Sequence, residues 1–187
     1  MSDYSTYLAE NNLKIDVNKS IKKQRLSYIF TLGEIFTMSL SYILGIVVIG
    51  LLLLPVWLKI KGSNVSFELL FFCLISNAWL ISNIILNNAL IKIEGHDIAK
   101  NRIDMISILN RYYSNLDIQI DQENLIRSFK SSYQPIWGRV ITVIFDDNVI
   151  YLNITKLGKS DSPTFVHGLF NYLKAKRIAK YYRENYF

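Results

Sequence analysis

Two uncharged apolar runs lie almost back to back in this chain, Ile35 to Leu58 and Leu69 to Ile91. Glu34 and Lys59 bound the first, and Glu68 and Lys92 bound the second. At about 1.5 Å of rise per residue, each would reach roughly 35 Å as a helix, enough to cross a hydrocarbon core of about 30 Å. The pattern predicts a membrane helical hairpin with spans at 35–58 and 69–91 and a short external loop at 59–68. The alternative is a buried helical pair in a soluble protein. It fails because nothing else in the chain could cover both helices on every side.

Residues 92–187 suffice for one small domain with its own core. Residues 1–34 are too few and too polar for another and read as a basic cytosolic segment. The first apolar run starts too late and is too long for a secretory signal peptide, and no small-residue cleavage pattern follows it. The single cysteine, Cys73, lies within the second run and should pack as a small apolar side chain.

The formal net charge of +6 is unevenly spread. Lys14, Lys19, Lys22, Lys23 and Arg25 precede the first run, Lys92, Lys100 and Arg102 follow the second, and the connection holds only Lys59 and Lys61. That bias places both termini in the cytoplasm of an integral inner-membrane protein. Gly62-Ser63-Asn64 supplies turn chemistry for the external loop.

Past the spans, Asp97 to Tyr113 is predicted as a helix, with Ala99, Ile103, Ile106, Asn110 and Tyr113 along one row. Leu116, Ile118 and Ile120 alternate with polar residues as a half-buried strand does, and a weaker strand covers Asn124 to Ser131. Pro135 interrupts a loop ending near Trp137-Gly138. Val140 to Phe145 and Val149 to Thr155 flank Asp146-Asp147-Asn148 and read as a β-hairpin with an acidic turn. After a break at Gly158 to Asp161, Ser162 and Pro163 can open a helix that runs to Glu184. The expected fold is thus a two-span membrane hairpin followed by a small cytosolic α+β domain: helix, about four antiparallel strands, helix.

Three surfaces are candidates for function. Gly33, Thr37, Ser41 and Gly45 form a small-residue stripe on the first span that admits close helix packing, within the hairpin or between protomers. Ser76, Asn83 and Asn87 share a narrow arc of the second span, and Asn77 and Asn88 a neighbouring one. Carboxamides should face protein or water rather than lipid, either as interhelical hydrogen bonds or as the wall of a polar conduit. The last helix carries Lys174, Lys176, Arg177, Lys180 and Arg183, a basic surface open to solvent, to anionic lipid or, least favoured, to nucleic acid.

Catalytic chemistry has little support. His96 and His167 lack neighbours at metal-ligand spacing, and no phosphate loop or nucleophile elbow is present. Asp146 and Asp147 sit at a hairpin tip that cannot exclude water. No cofactor or metal is expected, and the chain reads as non-enzymatic.

Two readings follow. One is a membrane-anchored module that presents its α+β domain to a protein or lipid partner. The other is an oligomeric membrane effector with the second-span asparagines lining a path. In element order, in the Gly33/Thr37/Ser41/Gly45 stripe and in its asparagines, the chain resembles the small membrane-pore accessory proteins of type VI CRISPR systems. That resemblance implies self-association. The ribonuclease signature linked to such proteins, Arg followed shortly by His, is not met at His96 or His167.

Overall fold

The computed structural model describes residues 14–29, 32–113, 116–130, 138–157 and 164–187, excepting the side chains of 14, 32–38, 40–42, 44, 119, 130 and 165. A short strand β1 (Lys14–Ile15), helix α1 (Val17–Lys23) and strand β2 (Tyr28–Ile29) lead into two long antiparallel helices, α2 (Leu32–Ile60) and α3 (Phe67–Leu86). Strand β3 (Ile91–Glu94) and helix α4 (Ile98–Tyr112) follow. Strands β4 (Ile118–Gln122), β5 (Leu125–Lys130), β6 (Gly138–Asp146) and β7 (Val149–Leu157) complete an antiparallel sheet of order β3-β7-β6-β5-β4. A 3₁₀ turn (Phe165–His167) runs into the last helix, α5 (Gly168–Tyr186).

The connection between the long helices is built by local chemistry. Gly62 takes φ +88°, its amide bonds the Lys59 carbonyl, and the Ser63 amide bonds the Leu58 carbonyl. This is the left-handed glycine stop that satisfies the last carbonyls of α2. Ser66 then caps α3 by accepting the Leu69 amide at 3.3 Å.

Among the described residues, only α3 is by itself long and apolar enough to cross a bilayer; Gly45–Ile60 of α2 is apolar but shorter. Phe71, Phe72, Leu74 and Ile75 of α3 are exposed, as are Ile46, Leu51 and Trp57 of α2.

The second apolar run does not stay helical to Ile91. Helix α3 stops at Leu86, Asn87 and Asn88 turn the chain, and Ile91–Glu94 is an edge strand paired with β7. Two consecutive carboxamides weaken a helical end. Ile91 and Ile93 then alternate, buried, with exposed Lys92 and Glu94. The sheet therefore has five strands rather than about four.

Residues 14–29 are not a mere basic flank. Helices α4 and α5 cover one face of the sheet, setting Met105 and Ile178 against Ile93, Ile141, Val143 and Leu152. The other face carries Leu125, Ile144 and Tyr151, and Leu26 packs on them with Ile15, Val17, Ile21 and Tyr28 beside it. A sheet with two apolar faces needs two covers, and the N-terminal segment is the second. It is also stitched to the end of α3: the Leu26 amide bonds the Asn88 carbonyl and the Leu90 amide bonds the Gln24 carbonyl.

Within the domain, α4 starts where expected, with the Asp97 carboxylate accepting the Lys100 amide at 3.0 Å. Its buried side differs from the expected row. Asn101, Asp104, Met105, Ile108 and Leu109 face inward, while Ile103 is 70% exposed. The β6–β7 turn is Asp147-Asn148, since Asp146 still pairs with Val149, and Asp147 takes φ +47°. The expected Pro135 loop, the Gly158–Asp161 break and the Ser162-Pro163 helix start lie outside the described residues.

Candidate functional site

The asparagine arc of α3 meets the α+β domain rather than only its partner helix. Asn83 is fully buried; its Nδ2 donates to the Trp79 carbonyl at 2.8 Å, and its Oδ1 accepts the Leu169 amide at 2.9 Å. Helix α5 has no side-chain cap from His167, so Asn83 supplies from another helix the acceptor that the first turn of α5 needs. Gly168 makes the approach possible. A Cβ there would stand 2.0 Å from the Asn83 carbonyl oxygen and 2.8 Å from the Asn87 nitrogen.

One turn on, the sheet takes hold of the same segment. Asn153 of β7 donates through Nδ2 to the Asn87 carbonyl (3.1 Å) and the Ala89 carbonyl (2.9 Å), and its Oδ1 accepts the Thr155 hydroxyl at 2.7 Å. Arg25 reaches the Ile85 carbonyl at 3.0 Å, a cation at a helix C-terminus.

Farther along α3, Asn77 is buried and donates to the Cys73 carbonyl at 3.1 Å, while Ser76 is half-buried. The Oδ1 atoms of Asn77, Asn87 and Asn88 have no hydrogen-bond partner among the described residues. In the small-residue stripe, Gly45 is buried, and a Cβ there would lie 3.9 Å from Ile84 Cδ1 of α3. The stripe at this position serves packing within the helical hairpin. The side chains of Gly33, Thr37 and Ser41 fall outside the described residues.

The basic residues of α5 divide between two flanks. Lys176, Arg177, Lys180 and Arg183 line a groove of about 650 Å³ whose other wall is Ile91 and Lys92 of β3. Lys176 also stands over the Tyr172 ring at 5.3 Å, Arg183 donates to the Lys92 carbonyl at 3.2 Å, and Lys180 pairs with Glu184 at 3.6 Å. Lys174 instead turns toward Tyr113 of the α4 end, 4.4 Å from its ring centroid.

Charge is graded along the sheet. Around the β4–β5 and β6–β7 turns, a shallow recess gathers Asp97, Asp121, Glu123 and Asp147 about Arg102, which pairs with Asp121. At the opposite end of β6 and β7, Arg139 and Lys156 are direct partners. That basic end leads to the turn Phe165–His167, which packs on α3.

The histidines have structural surroundings. His96 Nε2 stands 2.7 Å from the Tyr186 carbonyl, its ring lies beside Phe187, and His167 Nδ1 lies 3.2 Å from the Thr164 hydroxyl. Among the described residues no group of three His, Cys, Asp or Glu is placed to hold a metal ion. Asp146 and Asp147 are exposed at the hairpin tip.

Sequence reasoning missed Asn101, Asn153 and Gly168. Asn101 is fully buried, donating to the His96 carbonyl and accepting from the His96 amide and the Tyr182 hydroxyl, each at 2.7 Å. The one available signal for Asn153 was a carboxamide inside an otherwise apolar β run.

Compared with protein-family models, curated proteins and solved structures, the chain shows no significant match to any of them.

Proposed function

We propose that this chain is a non-enzymatic, two-span membrane protein that holds its α+β domain rigidly at the inner face of the bilayer and presents a basic surface there. The observation that carries this reading is the seam at Asn83, Gly168 and Asn153, where the apolar helix α3 and the domain share hydrogen bonds. A domain on a passive anchor needs a linker; this one has a joint. The exposed apolar sides of α2 and α3 would be costly in water and fit lipid. The charge gradient supports the orientation. The basic end adjoins α3, where an anionic leaflet would attract it, and the acidic turns point the other way. The basic groove between α5 and β3 is the surface proposed for an anionic partner, lipid or acidic protein; nucleic acid is not favoured.

The competing pore reading draws on Asn77, whose Oδ1 is buried without a partner among the described residues. Asn83 favours the packing reading instead, because both ends of its carboxamide are occupied within the chain.

Two measurements test these readings together. Membranes washed with alkaline carbonate should retain the protein, and single cysteines at Lys61 and at Asp147 should label from opposite sides. Release by carbonate, or labelling of both from one side, overturns the two-span reading. The particle size in nanodiscs should correspond to one or two chains. A larger ring that leaks dye would support the pore instead.

A further inference from the structure

The register of β6 and β7 sets Arg139 directly opposite Lys156. Both point to the helix-covered face, because Ile141, Val143 and Phe145 on one strand and Ile150, Leu152 and Ile154 on the other belong to that core. Like charges directly across a ladder destabilise it. Helix α5 nevertheless adds a third cation. The Arg139 guanidinium carbon and the Lys174 ammonium stand 3.8 Å and 4.4 Å from the same Tyr113 ring centroid.

Among the described residues no acidic side chain pairs with these three cations. The ion pairs among the described residues are Arg102 with Asp121 and Lys180 with Glu184. Burial, then repulsion from Arg139, Lys156 and Arg177, holds the Lys174 ammonium below its ordinary pKa, and burial does the same to Arg139. The ring faces of Tyr113 account for two of the cations. They account neither for Lys156 nor for the Tyr113 hydroxyl, which has no hydrogen-bond partner among the described residues although the side chain is 3% exposed. A buried donor and three neighbouring cations are the complement of a compact, oxygen-rich dianion.

We infer that Arg139, Lys156 and Lys174, the first and last of them against the Tyr113 ring, form a binding site for a phosphate group, separate from the basic groove on the other flank of α5. Its position favours a phospholipid headgroup as the source. The Lys156 carbonyl accepts the Thr164 amide at 2.9 Å, and the turn that follows packs on α3, so the cluster lies near the end of the apolar helix. A soluble phosphorylated compound would use the same contacts. The phosphate chemistry does not require the membrane reading; the lipid source does.

The test uses the full chain in nanodiscs. In phosphatidylcholine discs, inorganic phosphate should raise the melting temperature above that in chloride of equal ionic strength. In discs doped with phosphatidylglycerol, native mass spectrometry should find that lipid retained in preference to phosphatidylcholine. Arg139→Gln and Lys174→Gln should each weaken the response about tenfold, as loss of one charge-assisted contact implies. Lys156→Gln, at a half-buried position, serves if those variants fail to fold. Lys100→Gln, an exposed cation beside Asp97 at the acidic end of the sheet, should leave both responses intact. Retention of lipid without a phosphate effect makes the ligand a headgroup, and the reverse makes it soluble; either sustains the site. Absence of both in the wild-type chain, or equal loss in the Lys100 variant, overturns it.

Discussion

The backbone amide of Leu169 donates to Oδ1 of Asn83 at 2.9 Å, so a helix of the α+β domain is capped by a side chain from the apolar helix. Replacing Asn83 with Leu leaves that amide buried and unsatisfied. Unfolding of the purified protein in detergent should show a loss of about 1–3 kcal/mol. An unchanged melting temperature would mean that the seam contributes nothing to stability.

Gly168→Ala should be more damaging than its size suggests. The added methyl would meet backbone atoms of α3, which cannot rotate away as a side chain could. The expected cost is about 1–3 kcal/mol, with α5 lifted from α3. Proteolysis should then cleave between the β7 end and α5 faster than in the wild type. Gly50, where a Cβ would meet nothing within 4 Å, is the control, and Gly50→Ala should not destabilise the protein.

The Asn101 network joins the start of α4 to the end of α5. Tyr182→Phe removes one hydrogen bond and should cost about 1 kcal/mol, while Asn101→Ala strands several buried groups and should cost about 2–3 kcal/mol. Equal costs for the two variants would show that the backbone contacts at His96 carry no weight.

His167 gives the seam a pH dependence. Burial, then the nearby Lys156 charge, lowers its pKa from 6.5. The folded state thus binds a proton less readily than the unfolded chain. Stability is intact above 6.5 and falls as the pH drops from there through the depressed folded value. Chemical denaturation between neutral and mildly acid pH should show this slope, and His167→Gln should flatten it.

Much of the domain was legible before folding because its signals are local. Asp97 opens α4, Gly62 marks the turn between the long helices, and the strand pair around Asp147 follows from β-rich runs beside a turn. Other features were hidden because their causes are not local. Ile103 fits the helical period as well as Met105 does, and only the neighbouring sheet decides which is buried. Ile91 reads as the last apolar residue of a span until β7 offers it a ladder. The basic residues of α5 were visible as a class. Their division between the groove at Lys92 and the ring of Tyr113 required the crossing of α5 over the sheet.

The sequence by itself determined the two apolar helices, the turn between them and an α+β domain after them, since hydrophobic period and turn chemistry act over a few residues. Tertiary structure alone decided what Asn83 is for. Its carboxamide oxygen takes the Leu169 amide, and the neighbouring Asn87 backbone carbonyl takes Asn153, both partners lying far along the chain. The same holds for the N-terminal segment, which became a cover for the sheet because folding left one apolar face open.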